Sequence, residues 1–263
     1  MKSTLASCND VQTLAHADLL MLLADLLRRP AMDWPGQQLP ALLDAAGVGP
    51  TQEPAPAWRR LQQQIQETDP DVWSFEHHRL FEGAMACPPC QTAYVRRDKG
   101  AILGDLCGFY QAFHLAPPAD SGEKPDHIVT QLEFLSLLLV MGASSTAAGP
   151  GADAPQQVVT DATRAFADDH MAPWLGLFAA QLRRATPLPL YDAVAEVIER
   201  TWSLLAQHHR WIALAVADSD LPSTDLDPPS DDCGHVADPL VPLQLRGAPI
   251  DTGDQIERRP VPG

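Results

Sequence analysis

The chain has 263 residues, enough for one large domain or a domain with appendages, and its 45% apolar share is enough for an ordinary core. Eighteen Lys and Arg stand against 34 Asp and Glu, a formal charge of −16. That balance excludes a phosphate backbone as partner, because nucleic acid needs a basic face; it suits a cationic partner or plain solubility.

The first predicted helix covers residues 11–29, with Leu14, Leu19, Leu22, Leu23, Leu26 and Leu27 on its apolar face and Pro30 as its stop. A short helix fits 39–46, ahead of the breaker run GVGPTQEPAP. A polar helix over 58–67 buries Trp58, Leu61 and Ile65. Asp69-Pro70 then supplies a cap and a first-turn proline. The helix it opens carries Val72, Trp73, Phe75, Leu80 and Phe81, and Gly83 ends it. The loop AMACPPCQTAY leads to Arg96-Arg97 and a helix over 98–115 whose core side is Ile102, Leu103, Leu106, Phe109, Tyr110 and Phe113.

Residues 123–141, EKPDHIVTQLEFLSLLLVM, form the stretch around which the rest is expected to pack. Pro125 and Asp126 are placed in its first turn, where a missing N–H costs nothing and a carboxylate meets the positive helix end. Ile128, Leu132, Phe134, Leu135, Leu137, Leu138 and Leu139 leave little of its circumference polar, the mark of a central helix. It is too short, and Gln131 and Glu133 too polar, for a membrane span.

Two more helices follow in QQVVTDATRAFADDH and WLGLFAAQLRRA, and a last one over 191–217. No stretch alternates at period two, so the fold class is all-α, one helical bundle over 1–217. Residues 218–263 are rich in Asp and Pro and predict a flexible acidic tail, with an apolar patch at 240–245. The first residues lack the apolar core of a secretory signal, and cysteines at 8, 87, 90, 107 and 233 are no disulfide framework in a chain this long. A reduced, cytoplasmic setting is the expectation.

Five segments, in this order and spacing, resemble the TorD/DmsD family of maturation chaperones for molybdenum enzymes. They are FEHHRLFEG (75–83), PPCQTAY (88–94), GFYQAFHLAPP with His114 where the family has glycine, PDHIVTQLEFL, and FADDHMAPWLGLF (166–178). The resemblance implies an all-helical, non-catalytic chaperone with no resident cofactor or metal. Its partner would be the catalytic subunit of a molybdopterin-containing oxidoreductase, bound through a twin-arginine leader. Export would wait until cofactor insertion is complete. The family's groove, carried over by motif, gives Leu80, Phe81, Pro89, Tyr94, Asp126 and His127, with Glu76 at the acidic position. His77 and Cys90 stand where relatives often have tryptophan. A monomer and a domain-swapped dimer are both compatible.

The chemistry of such a leader agrees. Two guanidinium groups ahead of an apolar helix call for carboxylates beside an apolar groove. Glu76, Glu82, Glu123 and Asp126 can supply the first, and Leu80, Phe81, Tyr94 and Phe109 the second. On this reading Asp126→Asn weakens leader binding and leaves thermal stability nearly unchanged. A plain helical scaffold is the open alternative, with Leu80 and Phe81 as core and the acids as a solvated rim. Adjacent helix positions point about 100° apart, so one of that pair can be buried and the other exposed. Cys87-Pro-Pro-Cys90 offers a further alternative, a metal or redox site with His77 or His78 nearby in sequence. His170, His208 and His209 read as helix-surface or core histidines.

Overall fold

Each amphipathic stretch folds as a helix in the computed structural model, which describes residues 8–30, 37–83, 85–116, 124–146, 153–214 and 244–245. Nine α-helices occur among these: α1 Cys8–Arg28, α2 Leu39–Ala45, α3 Ala55–Glu67, α4 Pro70–Phe81, α5 Lys99–Ala112, α6 Ile128–Thr146, α7 Asp153–Phe166, α8 Ala172–Ala185 and α9 Pro189–His209. The sheet among the described residues is one antiparallel pair, β1 Leu115–Ala116 with β2 Gln244–Leu245, Leu115 opposite Leu245. The fold is all-α, as its patterning requires. Of the tail, all but Gln244 and Leu245 lies outside the described residues, as does Glu123.

Helix α6 is central. Ile128, Leu132, Phe134, Leu135 and Leu138 are fully buried, and α1 lies along α6 more extensively than any other pair of elements meets. Ser136 Oγ donates to Ala17 O at 2.9 Å, fixing the two helices in register. Glu133 of α6 pairs with Arg28 of α1, which also holds Asp25 at 2.9 Å. Burial pushes the Glu133 carboxyl up, and the Arg28 guanidinium opposes that shift. On the other flank Phe134 meets Tyr110 and Phe166 edge-on, with ring centroids 4.8 Å from each. Trp58 Nε1 donates to Thr201 Oγ1 at 3.0 Å, tying α3 to α9.

Local chemistry sets most boundaries. Asp69 caps α4 by accepting from Asp71 N at 2.9 Å and Val72 N at 3.2 Å, and Gly83 leaves it at φ +59. The buried side of α4 is Trp73, His77, Leu80 and Phe81, at helical spacing. Val72 and Phe75 face out, 50% and 70% exposed. Two expected boundaries are corrected. Helix α6 begins at Ile128, because residues 126–128 are drawn into backbone pairing with 89–91; Pro125 and Asp126 lie ahead of the helix. Helix α9 ends at His209, because Arg210 turns left-handed at φ 61 and Trp211 N closes back on Ala206 O at 3.0 Å. Between α7 and α8, residues Ala167–Met171 widen into a π-helical turn, a feature frequent at functional sites.

Candidate functional site

Of the residues suggested by sequence, Pro89, Asp126 and His127 meet at one junction, where the proline loop reaches the start of α6. Ile128 N donates to Pro89 O at 2.8 Å and Gln91 N to Asp126 O at 3.0 Å, bracketing an antiparallel bridge between Cys90 and His127. Asp126 closes this latch. Its Oδ2 accepts from Thr92 N at 3.0 Å and from Thr92 Oγ1 at 2.7 Å. Its Oδ1 is buried and has no hydrogen-bond partner among the described residues. Below it, Gln131 Nε2 donates to Gln91 Oε1 at 2.7 Å, and Trp174 Nε1 donates to Gln131 Oε1 at 3.1 Å. The loop, α6 and α8 thus share one buried polar chain.

Burial divides the expected site residues. Leu80, Phe81, Pro89, Tyr94 and Asp126 are all buried, so their side chains support the surface from behind. Both members of the Leu80–Phe81 pair are inside, because the helix supplies one broad buried side instead of a thin stripe. Asp126 is fully buried, which corrects the expectation that removing its charge would leave stability untouched. His127 is half-buried, and its Nδ1 accepts from Val129 N at 3.2 Å. Desolvation lowers its pKa to about 4, against the raising influence of Asp126. Glu123 lies outside the described residues.

Glu76 reaches the surface in a groove of about 540 Å³ between α4 and the α8–α9 connection, lined by Val72, Phe75, Arg79, Leu188 and Pro189 among others. Its carboxylate is already engaged by the Arg79 guanidinium at 2.8 and 2.6 Å, which holds its pKa below the usual range. Arg79 is anchored in turn on Ala185 O at 2.5 Å. An incoming guanidinium would have to displace a bidentate pair to use Glu76.

A larger groove, about 820 Å³, opens between α5 and the π-helical turn. Asp105, Asp168 and Asp169 supply its negative charge, and Gly104, Gly108, Phe109 and Pro173 its apolar surface. A Cβ added at Gly104 or Gly108 would meet nothing within 4 Å, so this side of α5 is flat and open. Asp105 pairs with Arg97 at 2.6 Å, both side chains about half exposed. Such a pair is worth at most about 1 kcal/mol and exchanges partners readily. Asp168 caps Ile212 N at 2.7 Å. His170 lines the groove yet is 3% exposed, and its Nδ1 is a buried polar atom with no partner among the described residues. Burial holds its imidazole below the ordinary pKa, so the ring is neutral at pH 7. Sequence reasoning picked Phe109 from this set and missed the aspartates; the FADDHM run that carries two of them reads as ordinary helix until the turn widens.

The cysteine pair is divided. Cys87 is fully buried, 3.6 Å from Tyr94 Oη, and burial pushes its thiol up to about 12. Cys90 is half-buried, and both are free thiols. Among the described residues neither joins a group of three potential metal ligands.

Comparison with known proteins places this architecture. The profile of a family described as the nitrate reductase delta subunit matches residues 49–180, a span that contains the latch and the lining of the acidic groove. A chlorate reductase assembly chaperone from Ideonella dechloratans is 33% identical over 136 residues, 49% of this chain and 68% of that protein. A selenate reductase assembly chaperone from Thauera selenatis matches with the same identity and coverage. A perchlorate reductase assembly chaperone from Dechloromonas aromatica is 30% identical over 101 residues, 38% of this chain and 43% of that protein. No solved structure matches the chain.

Proposed function

The chain belongs to the nitrate reductase delta subunit family, molybdoenzyme maturation chaperones of the TorD type, and on that premise we propose that it is a non-catalytic assembly chaperone for the catalytic subunit of a molybdenum-containing reductase. It binds the twin-arginine leader of that subunit and delays export until the cofactor is in place. It acts in the cytoplasm, where such a leader is first read. Among the described residues no helix is long and apolar enough to cross a membrane.

The observation that carries the leader reading is the acidic groove beside α5. Asp105 and Asp169 are exposed carboxylates over an apolar floor. A guanidinium pair followed by an apolar segment matches that order of groups. His170 lines the same space as a buried, neutral imidazole. The residues of the latch keep the loop and α6 fixed beside it, and Glu76 and half-buried His127 remain the motif residues that reach solvent.

Calorimetry with the client's leader peptide tests this. The peptide should bind the full chain, and its Arg-Arg to Lys-Lys form should bind more weakly, since lysine loses bidentate pairing. Asp105→Asn with Asp169→Asn should weaken binding about 10- to 100-fold, the loss of one charge-assisted contact or more. Glu76→Gln, whose carboxylate is already occupied, should change affinity less than about threefold. Equal affinity of the aspartate variant and the parent chain would remove this groove from the reading. A dominant loss in Glu76→Gln would move the site to the α4 groove.

A further inference from the structure

Three histidines far apart in sequence meet at the end of α9. His16 of α1 is fully buried, and His208 and His209 are half-buried in the last turn of α9. One ring nitrogen from each lies within 4.8 Å of the other two. The rings stand nearly perpendicular, with centroids 4.7 to 5.1 Å apart. None of the three falls in residues 49–180, the span shared with the family.

His16 is held in the tautomer a metal ligand needs. Its Nε2 lies 3.3 Å from Ala46 O, which can only accept, so Nε2 carries the proton and Nδ1 the lone pair. That Nδ1 accepts from His209 Nε2 at 3.0 Å, so a metal entering here takes the place of this proton, which moves to His209 Nδ1. A metal-bound imidazole usually donates its other N–H to a carbonyl or carboxylate, which fixes its tautomer. His16 already makes that bond. Burial keeps the rings of His16 and His209 neutral, with pKa values near 4 and 3. The last carbonyls of α9 add the negative end of a helix dipole beside the cluster. Trp211 stacks on His209 at 4.8 Å and holds that ring in place.

We propose that His16, His208 and His209 form a three-imidazole site for a divalent late transition-metal ion, with zinc the simplest occupant. Metal–nitrogen bonds of about 2.0–2.1 Å place tetrahedral ligand atoms about 3.3–3.4 Å apart. The His16 Nδ1–His209 Nε2 pair stands at 3.0 Å and opens by a few tenths of an ångström, and separations bounded by 4.8 Å close by at most about 1.5 Å, within reach of ring rotation. Imidazole suits zinc, copper and nickel, and does not suit magnesium or calcium. The fourth position faces the half-exposed side of His208 and His209 and takes water. Bound there, the ion staples α1 to the end of α9, next to the turn that follows α2.

The test uses the untagged full chain, stripped of metal and titrated with Zn²⁺ and, for its visible spectrum, with Co²⁺. One equivalent should bind, Co²⁺ should give the intense bands of a tetrahedral site, and Zn²⁺ should raise the melting temperature. His208→Ala leaves the buried His16 in place and so keeps the fold. It should weaken Zn²⁺ binding beyond the roughly 10–100-fold that loss of an outer partner costs. His78→Ala, an exposed histidine on α4, should bind like the parent. No stoichiometric binding overturns the proposal, and so does binding that His208→Ala and His209→Gln leave unchanged.

Discussion

Asp126→Asn is the sharpest perturbation of the latch. In the parent, one buried carboxylate oxygen accepts two bonds from Thr92, at 3.0 and 2.7 Å. Bonds to a charged acceptor contribute about 1.5–3 kcal/mol, and neutral ones about 0.5–1.5. Replacing carboxylate by amide therefore costs roughly 1 kcal/mol per bond, or about 2 for the pair. The new NH₂ would sit where Oδ1 has no partner among the described residues, an unsatisfied donor worth about 1–3 kcal/mol more. Relief of a buried charge offsets part of that. The net expectation is a loss of about 2 kcal/mol, which lowers Tm by about 4–8 °C in a domain of this size. Urea and thermal unfolding of the variant measure it, with Thr92→Val completing a double-mutant cycle. An unchanged midpoint, or strictly additive losses in the cycle, would refute a latch built on this contact.

Two further outcomes follow from burial. Alkylation of the native chain should reach exposed Cys8 and half-buried Cys90 long before Cys87, whose thiol stays protonated at neutral pH; mass-mapped Cys87 modification at the rate of Cys8 would contradict its placement. The imidazoles of His77 and His127 are pushed by burial from 6.5 to about 4. Between those values the unfolded chain binds more protons than the folded one, so stability is full above about pH 6.5 and falls as pH drops towards 4. Each contributes at most about 1.4 kcal/mol per pH unit. Urea midpoints across this window should fall less steeply in His77→Gln than in the parent, and an identical slope would count against a neutral buried His77.

Elements were legible wherever one helix carried its own signal. Asp69-Pro70 and Gly83 announce α4 at both ends, and the leucine run of α6 marks itself as central. What sequence could not show is set by partners distant in the chain. The start of α6 moved to Ile128 because its approach pairs with Pro89 and Gln91, thirty-odd residues earlier, and no local rule for a first-turn proline contains that. Val72 and Phe75 look like core and lie outside, since only the angular position of Trp73 and His77 fixes which side of α4 turns in. The site was half legible for the same reason. Motif matching found the latch, whereas the acidic groove depends on a widened turn facing α5, and the histidine cluster joins residues 193 apart.

The amide of Gln131 has both ends committed, giving to Gln91 and receiving from Trp174. Its acceptor end meets Trp174, whose Nε1 also reaches His170 O at 2.6 Å, and its donor end meets the loop, so the seat of the loop draws on α6 and α8 together. From this we expect an order of release in which the loop opens before the bundle beneath it. A hydrogen-exchange experiment would see the amides of Gln91, Thr92 and Ile128 open as a unit, at lower cost than the helices beneath them. A surface that forms only on a finished bundle is one that an incompletely folded chaperone does not display.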